Sequence, residues 1–453
     1  MAVRVTILNA SFVSERKDKV QTTFPHLRLG VANIASFIKK HGADVSVIDP
    51  QAEKINIDQL VSKIMSLRPD YLCLPAYTEE INDAGLIAKR IKQLAPNTIV
   101  IIGGYHVSAL PHDTLENFCF DIGIVGEGER ALGDIINKIP LKEIDGIVYK
   151  NADGKSVLNK SHRKPLSLDD LPFPAWDLYD LSLYEKSLPI EPLRGCPFTC
   201  VFCFRALGRK VTYKSPERFV NELRYYQKNS GVNSFRFLAG TFPLERKHAI
   251  GICRKIIADG LNITWTASTR VDTVDYELLD LMKKSGCRLL QFGVESGDPD
   301  MLNSVAKGIT PELCIKALGL CHKVGIKAGL NFIIGLPNET KASIKTTYRL
   351  AVKLRKYACS ANFAILVPFP GTKVYQMALQ NEGCLSLRTK DWSDFGKQAG
   401  FALRHSNFKE FELQRLQSLL YLRYYIGSPI KTLKKFSFRK AAVVVKRAIS
   451  NKA

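Results

Sequence analysis

The chain has 453 residues, a formal net charge of +22 and a sequence pI of about 9.5. With 46% hydrophobic and 24% charged residues it has the composition of a globular protein, which argues against a disordered chain. A single hydrophobic core stops growing at about 250–300 residues, so we expect two or three domains. No apolar run approaches the ~20 residues that span a bilayer, which argues against a membrane-spanning helix.

The cysteine content bears on the cellular compartment. Eleven cysteines, an odd number, and the absence of a secretory signal pattern argue against a disulfide framework. We therefore expect a cytoplasmic protein. In that reducing setting a close cluster of cysteines indicates metal binding or catalysis.

Residues 1–145 alternate between short apolar strands and amphipathic helices, the first helix being closed by Gly42. Strands are predicted within 3–10, 43–50, 71–77, 97–104 and 121–129. This alternation predicts an α/β fold with a doubly wound parallel sheet of the flavodoxin-like type. Ligands of such sheets bind at the carboxyl ends of strands, so the residues that follow the strands are candidate binding residues.

Three further regions follow this domain. Residues 146–189 are predicted to be a linker that contains a hairpin with Asp153-Gly154 at its turn. Residues 190–404 contain six strand–helix units, which predict a partial (β/α)6 barrel with its functional groups at the strand C-termini. Residues 405–453 are predicted to form a helical, basic C-terminal region.

The strongest chemical signal is a set of three closely spaced cysteines just after the first barrel strand. Cys196, Cys200 and Cys203 follow a C-x3-C-x2-C spacing. Three thiolates can bind three irons of a [4Fe-4S] cluster and leave the fourth iron open to the amine and carboxylate of a small molecule. A zinc site is the alternative, but structural zinc needs four ligands, usually in paired spacings, and no second cysteine pair follows.

This cysteine motif resembles the signature of the radical SAM superfamily, and the resemblance covers about residues 190–400. It implies that the three cysteines hold a cluster that cleaves S-adenosylmethionine (SAM) reductively. Phe202 matches the aromatic residue before the third cysteine, whose backbone approaches the adenine in that family. Glu295 and Ser296 lie in a segment that resembles the family's SAM-contacting strand end, where a carboxylate can accept from the SAM ammonium or the ribose hydroxyls. Arg270 follows the third strand and can pair with the SAM carboxylate.

One loop departs from the pattern of the family. Relatives often carry acidic residues after the second barrel strand, whereas residues 237–242 contain no carboxylate. The resemblance therefore assigns no substrate-binding or proton-handling role to this loop.

The N-terminal domain resembles the cobalamin-binding domain that precedes the barrel in one branch of the superfamily. The resemblance rests on a Gly-Gly-Tyr-His segment after the fourth strand and a Gly-Glu-Gly-Glu segment after the fifth. The Asp-x-His-x-x-Gly motif that supplies a histidine to cobalt is absent, as it commonly is in this branch. An empty flavodoxin-like module is the alternative, and the histidine of the first segment can instead be satisfied by loop backbone. The candidate cobalamin-binding residues are Tyr77, Thr78, Gly103, Gly104, His106, Glu127 and Gly128.

The resemblance implies an enzyme with a [4Fe-4S] cluster, SAM and cobalamin as cofactors, and with a flavodoxin or ferredoxin as electron donor. The first hypothesis is C-methylation of an unactivated carbon in a small-molecule or lipid-like substrate. Relatives also close, rearrange or oxidise rings without net methyl transfer, and the sequence leaves that alternative open. Methylthiolation of tRNA is disfavoured, because the N-terminal domain offers Cys73 and Cys119 but no third cysteine for a second cluster. A non-catalytic cobalamin-binding module would not need the cysteine motif.

The C-terminal region carries much of the excess positive charge. No acidic residue follows Glu412. An amphipathic, basic segment can lie on an anionic membrane surface, although a solvated helical face is the plainer interpretation. We name a membrane surface as a candidate partner and do not expect nucleic acid. The basic residues are Arg415, Arg423, Lys431, Lys434, Lys435, Arg439, Lys440, Lys446, Arg447 and Lys452.

Overall fold

The chain forms two compact units in the computed structural model. Unit 1 comprises the chain up to Pro197 together with Phe204–Arg236, and unit 2 comprises Phe198–Cys203 together with the chain from Phe237 onward. The domain boundaries given above stay a prediction. The residues that the structure describes are 2–9, 25–160, 165–396 and 400–426.

The described residues contain strands and helices in the order that the sequence pattern predicts. The strands are β1 Arg4–Leu8, β2 Asp44–Ile48, β3 Tyr71–Pro75, β4 Ile99–Gly103, β5 Ile122–Ile124, β6 Ile147–Lys150, β7 Ser156–Asn159, β8 Leu188–Ile190, β9 Leu193–Arg194, β10 Thr212–Tyr213, β11 Ser234–Phe237, β12 Thr264–Thr269, β13 Cys287–Glu295, β14 Lys327–Ile334, β15 Ala358–Ile365, β16 Leu385–Leu387 and β17 Leu403–His405. The α-helices are α1 Leu29–Lys40, α2 Ile57–Leu67, α3 Ile81–Leu94, α4 Tyr105–Ala109, α5 Pro111–Asn117, α6 Glu129–Ile136, α7 Pro216–Ser230, α8 Arg246–Ala258, α9 Tyr276–Lys284, α10 Pro299–Ser304, α11 Pro311–Val324, α12 Lys341–Leu354, α13 Lys373–Gln380 and α14 Glu412–Ile426.

A seven-stranded sheet with the strand order β2-β1-β3-β4-β5-β6-β7 forms the centre of unit 1. Its first five strands pair in parallel. Ile7 and Ile101 of the strands pack in one buried core with Ile38 of α1 and Ile135 of α6. Apolar strands covered by helices are typical of parallel sheets, so the predicted α/β doubly wound fold is confirmed.

The hairpin that the sequence predicts in the linker belongs to this sheet. β6 pairs antiparallel with β5, which places Tyr149 opposite Ile122, and β7 pairs antiparallel with β6. At the turn, Asn151 Oδ1 accepts hydrogen bonds from the backbone N–H of Asp153 at 3.1 Å and of Lys155 at 2.9 Å. The strands of the hairpin therefore extend the N-terminal sheet at its edge.

Parallel strands β12, β13, β14 and β15 form the main sheet of unit 2. They belong to a six-stranded sheet with the order β15-β14-β13-β12-β11-β8. Five of these strands, β11 to β15, fall in the predicted barrel region and lie side by side in chain order, whereas β8 lies almost wholly in the predicted linker. The repeated strand–helix pattern predicted for this part of the fold is confirmed.

Five helices of unit 2, α9 to α13, begin at a side chain that caps the first turn. Asp275 accepts from the backbone N–H of Leu278 at the start of α9, at 2.8 Å. Thr310 and Thr340 do the same at the starts of α11 and α12. Such caps satisfy amide groups that have no partner inside the helix, which fixes where each helix starts after its strand.

Helix α14 lies along β15, the edge strand of the sheet. Tyr425 Oη accepts from the N–H of Ala361 at 3.0 Å and donates to its carbonyl at 2.9 Å. Tyr421 Oη accepts from the N–H of Phe363 at 3.0 Å, and Gln417 donates to the carbonyl of Phe363 at 2.7 Å. Side chains thus satisfy the edge groups that another strand would otherwise pair.

Helix α14 also bears on the predicted C-terminal region. This helix, which ends at Ile426, confirms that the region contains a helix. The basic segment 427–453 lies outside the described residues. No helix in the described part of the chain is long and apolar enough to cross a membrane.

Candidate active site

Arg270 is the centre of a buried polar cluster at the end of β12 in unit 2. Its Nε and Nη2 donate to the two carboxylate oxygens of Asp272 at 2.9 and 2.7 Å, and Nη2 also donates to the carbonyl of Lys307 at 2.7 Å. Its guanidinium carbon lies 3.8 Å from the ring centroid of Phe198, which stands between the first two cysteines of the motif. Nη1 is buried and has no hydrogen-bond partner among the described residues, so it can donate to an anionic oxygen of a ligand.

Glu295 ends β13 and forms a buried ion pair with Lys307. Lys307 Nζ donates to Glu295 Oε1 at 2.7 Å, and the two side chains are 8% and 9% exposed. The φ angle of Glu295 is +63°, a left-handed conformation that costs about 1–2 kcal/mol for a residue with a side chain. The pair lies over Gly293, where a Cβ would stand 2.4 Å from Glu295 Oε1 and 2.8 Å from Lys307 Nζ.

Lys307 is a functional candidate that the sequence interpretation missed. Its contact with Glu295 depends on an irregularity in β13, where the pairing with β14 shifts register between Gly293 and Glu295. The only sequence signal is a Lys-Gly pair twelve residues after the glutamate, which is weak. Lys307 already neutralises Glu295, so this carboxylate is better suited to accept from hydroxyl groups than to balance a second cation.

Ser296 has a different environment from its neighbour Glu295. It is fully buried, its Oγ lies 2.9 Å from Thr347 Oγ1, and it accepts from the backbone N–H of Asp298 at 3.1 Å. These contacts fix the loop that follows β13. A role of Ser296 in binding SAM stays a prediction.

The cysteine motif lies on an irregular segment with unequal exposure of its thiols. Cys200 is buried, Cys196 is half-buried and Cys203 is exposed. Phe202 packs against a core cluster of unit 2 that includes Leu336. No three His, Cys, Asp or Glu side chains in the described ranges converge as ligands of one metal ion. A cubane cluster does not require that geometry, because each thiolate binds a different iron.

In unit 1, a row of aromatic residues runs along the ends of β3 and β4. The ring centroids of Tyr77 and Tyr105 lie 5.4 Å apart, and Tyr105 lies 6.1 Å from Phe204, the residue after the third cysteine. The guanidinium of Arg28 lies 4.8 Å from the ring of Tyr77, whose backbone N–H donates to Glu80 at 2.8 Å. Thr78 is buried and begins a single 3-10 turn, Thr78–Glu80.

Two glycines leave room at the end of β4. A Cβ on Gly103 would meet no atom within 4 Å, which shows open space in front of this strand end. Gly104 has φ +99°, and a Cβ there would stand 2.8 Å from the carbonyl oxygen of Ala76. Only glycine therefore allows the chain to pass this closely and to enter α4.

His106 on α4 is fully buried. Burial lowers the pKa of its imidazole to about 4, so the side chain is neutral at physiological pH. Its backbone N–H donates weakly to the carbonyl of Ala76 at 3.4 Å. A contact between His106 and cobalamin stays a prediction, and the buried ring agrees better with a histidine that packs within the domain.

Glu127 and Gly128 lie beside a buried arginine that sequence reasoning did not single out. Arg194 Nη2 donates to Glu129 at 2.7 Å and to Glu191 at 2.8 Å, and Nη1 lies 3.5 Å from Glu127. Burial raises the pKa of Glu127, and Arg194 partly offsets that shift. Burial lowers the pKa of Arg194, but Glu129 and Glu191 raise it by more, so the guanidinium stays charged. Arg194 thus ties the loop after β5 to the start of the cysteine segment.

The connector contacts the carboxyl ends of β1 and β2. Tyr184 Oη donates to Asp49 at 2.7 Å at the end of β2, and Tyr179 Oη donates to Asn9 at 3.2 Å at the end of β1. Burial raises the pKa of both phenols, so they remain neutral donors. Most of the predicted cobalamin residues follow the other parallel strands, β3, β4 and β5.

Comparison with known proteins identifies both parts of the chain. Residues 190–351 match the model of the radical SAM superfamily, and residues 19–136 match the model of the B12 binding domain. An uncharacterized methyltransferase of Pyrococcus horikoshii is 33% identical over 96% of this chain and 94% of its own length. The chain belongs to the cobalamin-dependent radical SAM enzymes. The cofactors of this family are a [4Fe-4S] cluster, SAM and cobalamin.

Two further proteins show how varied this family is. The anaerobic magnesium-protoporphyrin IX monomethyl ester cyclase of Rubrivivax gelatinosus is 29% identical over 76% of this chain and 65% of its own length. The structure of the methyltransferase TsrM from Kitasatospora setae, with cobalamin and a [4Fe-4S] cluster bound, matches with a TM-score of 0.71. The two chains are 20% identical, and the match covers 86% of this chain and 76% of the TsrM chain. The fold of this chain is therefore also found in a methyltransferase structure with cobalamin and a [4Fe-4S] cluster bound.

Proposed function

We propose that this enzyme methylates an unactivated carbon atom of a small-molecule substrate. When bound, the cluster supplies one electron for the cleavage of SAM, and cobalamin supplies a transferable methyl group. The protein holds these groups, orients the substrate and keeps water out. The observation that carries the proposal is the buried cluster around Arg270, which joins the cysteine segment to the predicted SAM residues and leaves one cationic donor open.

Arg270 is proposed to bind the carboxylate of SAM. Its Nη1 is the buried donor without a hydrogen-bond partner in the described part of the chain, and the other nitrogens are held by Asp272 and Lys307. An arginine fixed in this way meets a carboxylate with little further loss of side-chain freedom. Glu295, neutralised by Lys307, is proposed to accept from the ribose hydroxyls. Phe202 and Ser296 are proposed to border the same site.

Cys196, Cys200 and Cys203 are proposed to hold the cluster. The test is anaerobic purification and reconstitution, followed by an absorbance spectrum and an iron assay. Cys200→Ala is expected to lose the iron–sulfur band. Cys119→Ala is the matched control, because Cys119 is an exposed thiol outside the motif, and it is expected to keep the band. Equal spectra of the two variants would contradict this assignment.

Cobalamin is proposed to bind at the ends of β3, β4 and β5 in unit 1. The proposed contacts include the open space in front of Gly103, and the test fills that space. Gly103→Leu is expected to fold and to lose bound cobalamin, measured after reconstitution by its absorbance and by extraction. Gly30→Leu is the control, because a Cβ at Gly30 also meets no atom within 4 Å, yet this residue lies in α1. The other proposed contacts are Tyr77, Thr78, Gly104, His106, Glu127 and Gly128.

Methyl transfer is tested directly with SAM labelled at its methyl group. Label in a product, together with S-adenosylhomocysteine and 5′-deoxyadenosine, would support methylation. Formation of 5′-deoxyadenosine with a product of unchanged carbon count would instead favour ring closure or rearrangement. That second candidate is favoured by the similarity to the cyclase of Rubrivivax gelatinosus.

Two partners are proposed besides the substrate. A flavodoxin or ferredoxin is proposed as the electron donor. The test is a SAM-cleavage assay in which this protein takes the place of the chemical reductant.

The C-terminal region is proposed to contact an anionic membrane. The exposed Leu419, Leu422 and Ile426 on α14 and the basic residues that follow support this proposal. Co-sedimentation with anionic vesicles should decrease on truncation after Gly427, and equal binding would contradict membrane contact.

A further inference from the structure

The two faces of the sheet in unit 2 differ in their content of polar residues. Parallel sheets are normally apolar on both faces, because helices cover them on both sides. Here one face of β12–β15 follows that rule and packs with α9 and α11. Its residues are apolar and at most 1% exposed, as Leu290, Phe292, Leu330, Phe332 and Phe363 illustrate.

The other face carries the apolar residues Leu289, Ile333 and Ala364 together with polar residues that reach solvent. These polar residues alternate with the buried apolar residues along each strand, so they share one side of the sheet. Ser268 is exposed and the others are half-buried, so packing within the described residues does not seal this part of the face. We call these polar residues the polar row: Ser268, Gln291, Asn331, Ser360 and Asn362.

The strand register brings the polar row together. Ser268 of β12 stands opposite Gln291 of β13, which stands opposite Gly329 of β14. A Cβ on Gly329 would lie 2.2 Å from Oε1 of Gln291, so the glycine makes room for this amide. In the next layer Asn331 stands opposite Asn362. Two carboxamide-bearing layers therefore lie below the ends of the strands.

The polar row keeps hydrogen-bonding capacity that the fold does not use. Asn331 makes one weak bond, from Nδ2 to the carbonyl of Phe292 at 3.5 Å, and Asn362 Oδ1 accepts from Tyr421. Within the described residues the carboxamide of Gln291 has no hydrogen bond to protein. The row itself carries no ionisable group, and the nearest carboxylate at the end of β13 is already paired.

We propose that the polar row is the wall of the substrate site and that it takes a neutral, polar substrate moiety bearing hydroxyl or amide groups. Hydrocarbon against these side chains would leave several donors and acceptors without partners, and each such group carries a desolvation cost. A charged moiety would find no counter-charge in the row. The inference rests on the proposed function, which supplies the reaction at this site, and it decides between the polar and the lipid-like substrates that the sequence leaves open.

The experiment asks which compounds donate hydrogen to SAM during its cleavage. The full chain, loaded anaerobically with cluster and cobalamin, is incubated with SAM and a reductant. Extracts of cells grown in deuterated medium are added after separation into an aqueous and a chloroform phase. Deuterium in 5′-deoxyadenosine is measured by mass spectrometry. We expect deuterium with the aqueous phase and none above background with the chloroform phase.

Variants connect the result to the polar row. Gln291→Leu and Asn331→Leu are each expected to lower the deuterated product about tenfold, the effect of one lost hydrogen bond of about 1.4 kcal/mol. SAM binding, measured by equilibrium dialysis, should stay within about twofold of the wild type. Asn331→Ser keeps a polar group in case the leucine variant folds poorly. Thr264→Val is the control, because Thr264 shares this face but starts β12 at its amino end.

The outcomes separate this inference from the proposed function. Deuterium with the chloroform phase, or with neither phase, would overturn the polar substrate class. An equal loss of SAM binding and of deuterium in the leucine variants would overturn it as well, because the row would then serve SAM. A methyl-labelled product reports on the proposed function alone. Aqueous deuterium without methyl transfer would keep the substrate class and reject methylation.

Discussion

Replacing Lys307 with methionine tests the buried ion pair at the end of β13. The substitution keeps the length of the side chain and removes the ammonium, which donates to Glu295 Oε1 at 2.7 Å. Both side chains are less than a tenth exposed, so water cannot take the place of the ammonium. Breaking a buried pair by removing one partner costs about 3–5 kcal/mol, because it leaves an uncompensated charge. For a domain of about 200 residues, a loss of 3 kcal/mol lowers Tm by about 6–12 °C.

The assay is anaerobic thermal unfolding, followed by circular dichroism, with SAM affinity measured alongside. Glu295→Gln combined with Lys307→Met removes both charges and is expected to recover most of the lost stability. Lys284→Met is the matched control, because Lys284 pairs with Asp280 on the surface, where the two side chains are 65% and 40% exposed. The control should melt like the wild type. A Lys307→Met protein within about 2 °C of the wild type would refute the reasoning, as would a double variant no more stable than the single one.

Three further predictions follow from buried groups. Arg194→Lys keeps the charge but removes the planar guanidinium that donates to both Glu129 and Glu191. We therefore expect the free energy of unfolding, measured in urea, to fall by about 2–3 kcal/mol, and cobalamin to be retained less well. Gly104→Ala forces a side chain into a residue with φ +99°, and it should lower the free energy of unfolding by about 1–3 kcal/mol. Burial raises the pKa of Glu339 to about 8. The folded chain therefore keeps a proton that the unfolded chain releases above about pH 4.5, and stability should fall as pH rises from 5 to 8, a slope that Glu339→Gln should reduce.

The parts of the fold that the sequence predicts well depend on local signals. Helices α9, α11 and α12 of unit 2 begin at Asp275, Thr310 and Thr340, whose side chains can cap a helix wherever the chain places them. Gly42, expected to end the first helix, has φ +89°. The alternation of strands and helices then leaves few topologies open, since parallel strands need crossover connections. Element order and sheet type could therefore be predicted without any contact information.

The site contacts that the sequence did not predict depend on tertiary register. Lys307 pairs with Glu295 only because β13 shifts register at Gly293 and because Glu295 adopts a left-handed backbone. Arg194 was visible beside the first cysteine, but its partners Glu127 and Glu129 lie more than 60 residues away in the chain. No periodicity reports such distant ion pairs. The hairpin at Asp153 was predicted locally, yet its pairing with β5 was not, for the same reason.

The polar row shows that a departure from a pattern can carry as much information as the pattern itself. The strands of unit 2 alternate apolar and polar residues, as in Leu290-Gln291-Phe292 and Leu330-Asn331-Phe332. Alternation of this kind is typical of a sheet with one wet face, whereas connections through helices require a parallel sheet. Both statements hold here because one face is buried and apolar, whereas the other carries half-buried polar residues. Carboxamides at strand interiors of a parallel sheet are therefore better explained by a ligand than by the fold, since the fold gives Gln291 no hydrogen-bond partner among the described residues.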